Sequence, residues 1–422
     1  VNNRSPLINT AHPIAKLVKR LLLLTFGLPF LIAIVVSLID SYRTRGKKPK
    51  PFSTLPATRT PIGDEAVTTY SFGQDLYSDM LAAIDAATHE ILLETYIWKD
   101  DHVGEQFKSA LTRAADRGVT VKVIYDKFAN LVVGPKFKAF PRNISVIAYP
   151  LYNAGWRFYD VRSYGRDHRK VLVVDETYAF VGGYNIGASY AREWRDTHCR
   201  IEGPAVWEFK RSFVEFWNLH HRRKWRHRHK PITLPPAPAW GSAVRVHRNL
   251  PNQWTFPIRS MYLDAISRAQ KNIWLTHAYF IPDESFVEAL TDAAERGVDV
   301  RLLVPAKSNH IVADLVSRGY FARMLNSGVH IFRFRDAMVH AKTATIDGHW
   351  STIGTANVDR LSMSGNYEIN VEIIDHSLAR RMEEIFTNDL LNTWPLTAAE
   401  WQSRDIYRRF TEIVFKPLRP LL

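Results

Sequence analysis

From about residue 68 the chain alternates two hydrophobic periods. Helical spacing runs through Asp75 to Thr88 and again through Val103 to Arg117, where Val103, Phe107, Ala110, Leu111 and Ala114 share one face. Gly118 follows as a C-terminal cap. Ile91 to Trp98 and Val119 to Tyr125 are short apolar runs that read as strands. The same order returns as helix Ile258 to Ala269, strand Ile273 to Phe280, helix Phe286 to Arg296 closed by Gly297, and strand Val298 to Val304. Even the wording agrees, Arg117-Gly118-Val119 answering Arg296-Gly297-Val298. Strands alternating with helices predict an α/β sheet unit, and the recurrence predicts two of them. Lys170 to Asp175 (KVLVVD) and Lys342 to Asp347 (KTATID) add a further strand to each.

Ahead of this pattern lies a different one. Leu21 to Ile39 is an uncharged run of 19 residues, and at about 1.5 Å per residue a helix of that length nearly spans a hydrocarbon core of about 30 Å. An uncleaved membrane anchor is the reading adopted. Pro29 also permits a bent segment that enters and leaves on one side. A buried helix and a cleaved signal peptide are the rivals, although Asp40-Ser41-Tyr42-Arg43 lacks a small-x-small cleavage pattern. Arg43, Arg45, Lys47, Lys48 and Lys50 follow the run, against Arg4, Lys16, Lys19 and Arg20 before it, which places the main body on the cytoplasmic side by a margin of one charge. Lys47 to Pro61 is basic and proline-rich, as suits an extended tether.

Composition narrows the partner. The 422 residues exceed one ordinary core, and 56 basic against 42 acidic residues give a net charge of +14. That balance favours a negatively charged partner, nucleic acid or an anionic membrane. A single cysteine, Cys199, allows no intrachain disulfide and leaves the redox compartment open. The basic run His220 to Lys230 carries four histidines with no Cys or carboxylate among them, a weak metal signal. It reads either as a linker near anionic headgroups or as a charged helix end. The C-terminal Ile406 to Leu422, basic and apolar, suits a membrane interface or packing on the body.

Chemistry enters with a constellation that occurs twice. His168, Lys170 and Asp175 are matched by His340, Lys342 and Asp347. Each histidine is followed 17 positions later by an asparagine, Asn185 or Asn357, and 28 positions later by an acid, Asp196 or Glu368. Chance repetition of the short motif alone is of order one in a thousand. If the sets meet, one imidazole can attack a phosphate ester while the other protonates the leaving oxygen. The lysines and asparagines would hold the non-bridging oxygens, and such a site needs no metal or other cofactor. On a strand, His and Lys two apart share a sheet face. Gly182-Gly183 and Gly354 would let backbone approach a bound phosphate. His89, His102 and His277 lack this pairing and read as structural, His277 also as a candidate rim residue.

HRKVLVVDETYAFVGGYNIG with WRDTHCRIEGPAV, and VHAKTATIDGHWSTIGTANVD with NYEINVEIID, resemble the phospholipase D superfamily, and within it the bacterial cardiolipin synthases. The likeness spans roughly residues 68 to 395. It implies an α/β fold of two tandem sheet-and-helix units related by a pseudo-twofold axis, preceded by the membrane segment. It also implies that His168 is the nucleophile, forming a phosphatidyl-histidine, and that His340 is the acid and then the base, although near symmetry would allow the reverse. Lys170, Lys342, Asn185 and Asn357 form the oxyanion clamp, joined by Gly183 and Gly354 on the substrate-binding side. Asp196 and Glu368 each orient one imidazole. Asp175 and Asp347 complete the catalytic motif, with a supporting role equally open.

The chain thus divides into an anchor (1–45), a tether (46–67), a first phospholipase-D-like domain (68–220), a basic and proline-rich linker (221–243), a second domain (244–396) and a C-terminal segment (397–422). The implied activity joins two phospholipids, two phosphatidylglycerol molecules releasing glycerol, into cardiolipin at a bacterial inner (plasma) membrane. Hydrolysis to phosphatidic acid is the alternative in the same fold. A nucleic-acid phosphodiesterase fits the charge but not the anchor, so no nucleic-acid partner is expected. An inert scaffold would not need both motif sets intact, and oligomeric state is not legible.

Overall fold

A computed structural model of the chain describes residues 50–151, 165–221, 230–239, 241, 243–309 and 311–404. The anchor run at 21–39, the basic cluster at 222–229 and the C-terminal residues 405–422 lie outside them. Among the described residues no helix is long and apolar enough to cross a membrane.

The first half contributes β1 (Thr58–Ile62), β2 (Glu65–Tyr70), β3 (Glu90–Thr95), β4 (Thr120–Asp126), β5 (Ile144–Tyr149), β6 (Val171–Val174), β7 (Tyr178–Gly182), β8 (Trp194–Arg195) and β9 (His198–Glu202). The second contributes β10 (Val244–Asn249), β11 (Asn272–His277), β12 (Asp299–Pro305), β13 (His330–Phe334), β14 (Met338–Val339), β15 (Lys342–Ile346), β16 (Trp350–Gly354), β17 (Glu368–Ile374) and β18 (Thr393–Leu396). They form two eight-stranded mixed sheets, β1-β2-β9-β7-β6-β3-β4-β5 and β10-β17-β16-β15-β11-β12-β13-β18, while β8 and β14 pair in parallel with each other across the halves. Omitting the extra edges β1 and β18, the two orders are the same, so the sequence repeat is a repeat of topology.

The expected helices form with small shifts in their ends, as Gly73–Ala86, His102–Asp116, Pro257–Arg268 and Glu284–Glu295. Helix His102–Asp116 starts where Asp101 accepts the Val103 and Gly104 amides, and buries the predicted face. Gly118 (φ 93°) and Gly297 (φ 91°) take the left-handed conformation that ends both matching helices. Strands β3 and β11 stop at Thr95 and His277, three residues earlier than their apolar runs suggest. The residues beyond, including Tyr96 and Tyr279, turn out of the sheet toward the histidines.

Three cores result. The helix pairs Gly73–Ala86 with His102–Asp116, and Pro257–Arg268 with Glu284–Glu295, each cover the outer face of one sheet. The third core lies between the halves. Helices Val206–His220 and His376–Leu390 bring Phe209, Phe213, Trp217, Leu378 and Met382 against apolar side chains of both sheets, and β7 contacts β16 and β17 while β9 contacts β16. The halves therefore share apolar interior.

The stretch read as a free tether is instead packed where it is described. Thr58–Ile62 is an edge strand paired with β2, where Pro61 is tolerated because it lies at a sheet edge. Phe52 meets Phe334 edge-on at 6.1 Å, and the Ser53 hydroxyl donates to Asn388 at 2.7 Å, so this strap crosses onto the second half. The proline-rich linker is also fixed. Trp207 Nε1 donates to the Pro235 carbonyl (2.9 Å), and Asn218 bonds both the N–H and the C=O of Ile232.

Candidate active site

His168 stands three residues before β6 and His340 two before β15, short strands that their β-branched residues favour, and Lys170 and Lys342 open that strand region on the same sheet face. Their ammonium groups turn back onto the histidine backbone. Lys170 Nζ donates to the His168 carbonyl at 2.6 Å, and Lys342 Nζ donates to the His340 carbonyl.

The two halves exchange their carboxylates. His168 Nδ1 lies 2.9 and 3.0 Å from the two oxygens of Glu368, and His340 Nδ1 lies 2.6 Å from Asp196 Oδ2. The backbone repeats the exchange. The His168 N–H donates to the Tyr367 carbonyl (3.1 Å) and the His340 N–H to the Arg195 carbonyl (2.6 Å), in each case the residue before the orienting acid of the other half. With Nδ1 engaged, Nε2 of each ring is left for chemistry. Neither motif histidine is paired with the orienting carboxylate of its own half.

The sheets make room for this arrangement through two small residues. A Cβ on Gly183 would stand 2.1 Å from Asp196 Oδ1, and one on Gly354 would stand 2.1 Å from Asn370 Oδ1. These glycines accommodate protein side chains, which corrects the expectation that they bring backbone to a phosphate. The position matching Gly183 is Thr355, whose hydroxyl donates to Glu368 Oε2 at 2.5 Å. One carboxylate is thus accommodated by an absent side chain and the other held by a hydroxyl.

Asp175 and Asp347 are not beside the imidazoles. Asp175 accepts from the backbone of Thr88, His89 and Glu90 and from the Thr88 hydroxyl, at 2.7 to 2.9 Å. Asp347 accepts from the backbone of Gln270, Lys271 and Asn272 at 2.7 to 3.0 Å. Both occupy the left-handed region (φ 51° and 55°) at the far end of their strands. Their carboxylates tie that turn to the start of the neighbouring strand, so the direct catalytic place assigned to them gives way to a structural one. Asn185 turns its amide oxygen to the Ile97 N–H (3.1 Å). The Asn357 amide oxygen is buried with no hydrogen-bond partner among the described residues. His277 is fully buried beside Tyr262 and Phe280, not at a rim.

Electrostatics follows from burial with two cations nearby. Burial, reinforced by Lys342, pushes His340 down to about 3. Burial likewise lowers His168, against the opposing pull of Glu368. Desolvation lowers Lys170 to about 8 and Lys342 to about 7. Burial works to raise Asp196, but Lys342 and His340 hold it below the usual carboxylate range. A phosphodiester brought among these groups would add a negative charge that raises both lysines and both histidines, so that one imidazole can carry the proton it is to donate.

Several site residues had no sequence prediction. Tyr96 packs edge-on against His168 with ring centres 4.6 Å apart, and Trp194 against His340 at 5.1 Å. Arg195 forms a bidentate pair with Asp389 at 2.7 and 2.8 Å, a buried ion pair between the halves. Arg169, between His168 and Lys170, points to the opposite sheet face, onto Glu94 (2.5 Å) and Asp167 (3.2 Å). The signal for it was present, since a residue between two that share a strand face must point the other way. A cavity of about 370 Å³ opens beside Tyr279, whose ring meets that of His340 at 6.3 Å, with Asp314, Arg318, Arg333 and Trp401 among its walls.

The family model described as "Cardiolipin synthase, PLD-like domain" matches residues 80–217 and 262–390, one stretch in each half. The chain belongs to that phospholipase D-like family. It is an enzyme of the phosphatidyltransferase class within the superfamily. A cardiolipin synthase of Listeria welshimeri is 30% identical over 367 residues, covering 85% of this chain and 76% of that protein. One of Staphylococcus aureus is 31% identical over 366 residues, covering 85% and 74%. In the fold alone, the chain resembles a phosphatidylserine synthase of Haemophilus influenzae (TM-score 0.64, 14% identity, 87% of this chain and 95% of that one). It also resembles a polyphosphate kinase of Porphyromonas gingivalis (TM-score 0.54, 14% identity, 89% and 57%).

Proposed function

We propose that this phospholipase D-like enzyme is membrane-bound and makes cardiolipin from two phosphatidylglycerol molecules. His168 Nε2 attacks the phosphorus of the first lipid. The bond from phosphorus to the headgroup glycerol breaks, and His340 gives that oxygen its proton. A glycerol hydroxyl of the second lipid then attacks the phosphatidyl-histidine, His340 takes its proton, and the phosphorus–nitrogen bond returns its electrons to His168. Lys170, Lys342, Asn185 and Asn357 bear the growing charge on the non-bridging oxygens. The cavity beside Tyr279 receives the accepting headgroup, with guanidinium groups suited to its phosphate.

The observation that carries this reading is the reciprocal exchange of carboxylates, which supplies two oriented imidazoles. The cardiolipin synthases to which the chain is similar supply the lipid. His168 is the more open of the two rings, its side chain 12% exposed against 6% for His340, as suits the group that meets the ester first. The test is incubation of the purified full chain with labelled phosphatidylglycerol in detergent or vesicles. Cardiolipin with one glycerol per turnover is the expected product pair, whereas phosphatidic acid with no cardiolipin would replace transfer by hydrolysis.

A further inference from the structure

In the first half the connection from β4 to β5, residues 127–143, is a built loop that exposes apolar side chains. Its base is fixed by several bonds. Asn130 Nδ2 donates to the carbonyls of Tyr96 and Asp126 (both 2.7 Å), Asn130 Oδ1 accepts the Trp98 N–H (2.8 Å), and Lys138 Nζ donates to the Asn130 carbonyl (2.9 Å). Val133 and Phe137 are buried in the outer core next to Trp98. Between these anchors the tip turns the other way. Val132 is 96% exposed, Leu131 58% and Phe128 54%. A loop that buries Val133 while holding Val132 almost wholly in water presents that side chain outward by construction.

Two further observations identify what the tip meets. Residues 127–143 contain Lys127, Lys136, Lys138 and Arg142 and no acidic residue, so the apolar tip is set in positive charge. The loop also stands at the mouth of the active site, since Asn130 holds the carbonyl of Tyr96 and the Tyr96 ring lies against His168. Exposed Leu361 lies on the adjoining rim, where the segment after it bonds residue 166 (Arg166 N–H to Asn366 Oδ1, 3.0 Å), and the Arg166 guanidinium lies over Phe128.

We propose that the 127–143 loop docks the catalytic mouth on an anionic phospholipid bilayer, Leu131 and Val132 entering the interface while the surrounding lysines and Arg142 meet the headgroups. The proposal rests on the reading of the substrate as phospholipid. It adds a lipid contact beside the site, separate from any anchor elsewhere in the chain.

The test uses a feature of this chain. Cys199 is its single cysteine and is fully buried, so Val132→Cys in the full chain creates one reactive thiol for an environment-sensitive fluorophore. On vesicles containing phosphatidylglycerol the label should shift to the blue and be quenched by nitroxide placed shallowly on the acyl chains. The same label at Asp292→Cys, on an outer helix, should do neither. A label at position 132 that stays water-like on those vesicles overturns the proposal, as does a shift that follows protein concentration without lipid, which would make the occupant a second copy. Depth needs no turnover, so a failure of cardiolipin synthesis would be seen separately. In Leu131→Asp/Val132→Asp, turnover on vesicles relative to monomeric short-chain lipid should fall on the order of tenfold. An unchanged ratio overturns the proposal.

Discussion

Asp196→Asn tests the exchange of carboxylates and the division of labour between the histidines. The change is nearly isosteric, but it replaces a buried anion 2.6 Å from His340 Nδ1 with a neutral amide. The lost interaction is a charge-assisted hydrogen bond of about 1.5–3 kcal/mol, which corresponds to a ten- to hundredfold loss of rate. If the amide N–H₂ turns to Nδ1 it fixes the wrong tautomer, and the loss moves toward about 10⁴-fold. With phosphatidylglycerol, where the leaving glycerol needs a proton, that loss should appear in full. An activated ester such as phosphatidyl-p-nitrophenol needs little help in leaving. Asp196→Asn and His340→Ala should therefore still release a burst of one p-nitrophenol per site and trap the phosphatidyl-enzyme, while His168→Ala and Glu368→Gln lose the burst. A burst retained by His168→Ala and lost by His340→Ala would reverse the roles, and full turnover in either alanine variant would refute a two-histidine mechanism.

Gly183→Ala should reduce cardiolipin formation about as much as Asp196→Asn, because the new Cβ stands 2.1 Å from Asp196 Oδ1; circular dichroism would check that the fold survives. Asp175→Asn should leave kcat unaltered and instead lower stability by about 2–3 kcal/mol, read as a lower Tm, since its carboxylate accepts from backbone and Thr88 only. His198, His277 and His340 are held neutral by burial, each pushed down to about 3. The unfolded chain therefore binds more protons below pH 6.5, and stability should fall on acidification from there toward pH 3. The slope is about 1.4 kcal/mol per histidine per pH unit. Urea unfolding at stepped pH would show it, and His277→Phe should remove one histidine's share, since the His277 ring nitrogens have no hydrogen-bond partner among the described residues to lose.

How much of this was legible depended on whether the signal was periodic. The matching helices, the strands that carry the histidine motifs and the repeated His, Lys, Asn and acid positions all stand at fixed spacings, and the structure brings the histidines together with Asp196 and Glu368. Which acid serves which ring was not legible, because spacing within a half cannot report an exchange between halves. The glycines were misread for a related reason. A glycine reports only that something comes close, and here Asp196 and Asn370 come close. The strap at 50–62 was misread because proline and lysine content describes solubility better than pairing at an exposed sheet edge.

Duplication alone would give a symmetric site, yet the proposed reaction requires two unlike imidazoles. The unlikeness is built around the histidines. Behind His168, Arg169 is buried against Glu94 and Asp167, and Asp126 accepts the Asp167 N–H at 3.2 Å; the matching positions of the second half are Ala341, Thr276, Val339 and Pro305. The charge thus set behind one histidine has no counterpart behind the other. The Arg195–Asp389 pair, buried between the halves, is placed one residue before Asp196, where it fixes the carbonyl that receives the His340 N–H. A buried ion pair adds little net stability but is costly to break, so it holds one arrangement against alternatives. The two repeats thus repeat one set of groups on different supports, which is what the proposed division into an attacking and a donating imidazole requires.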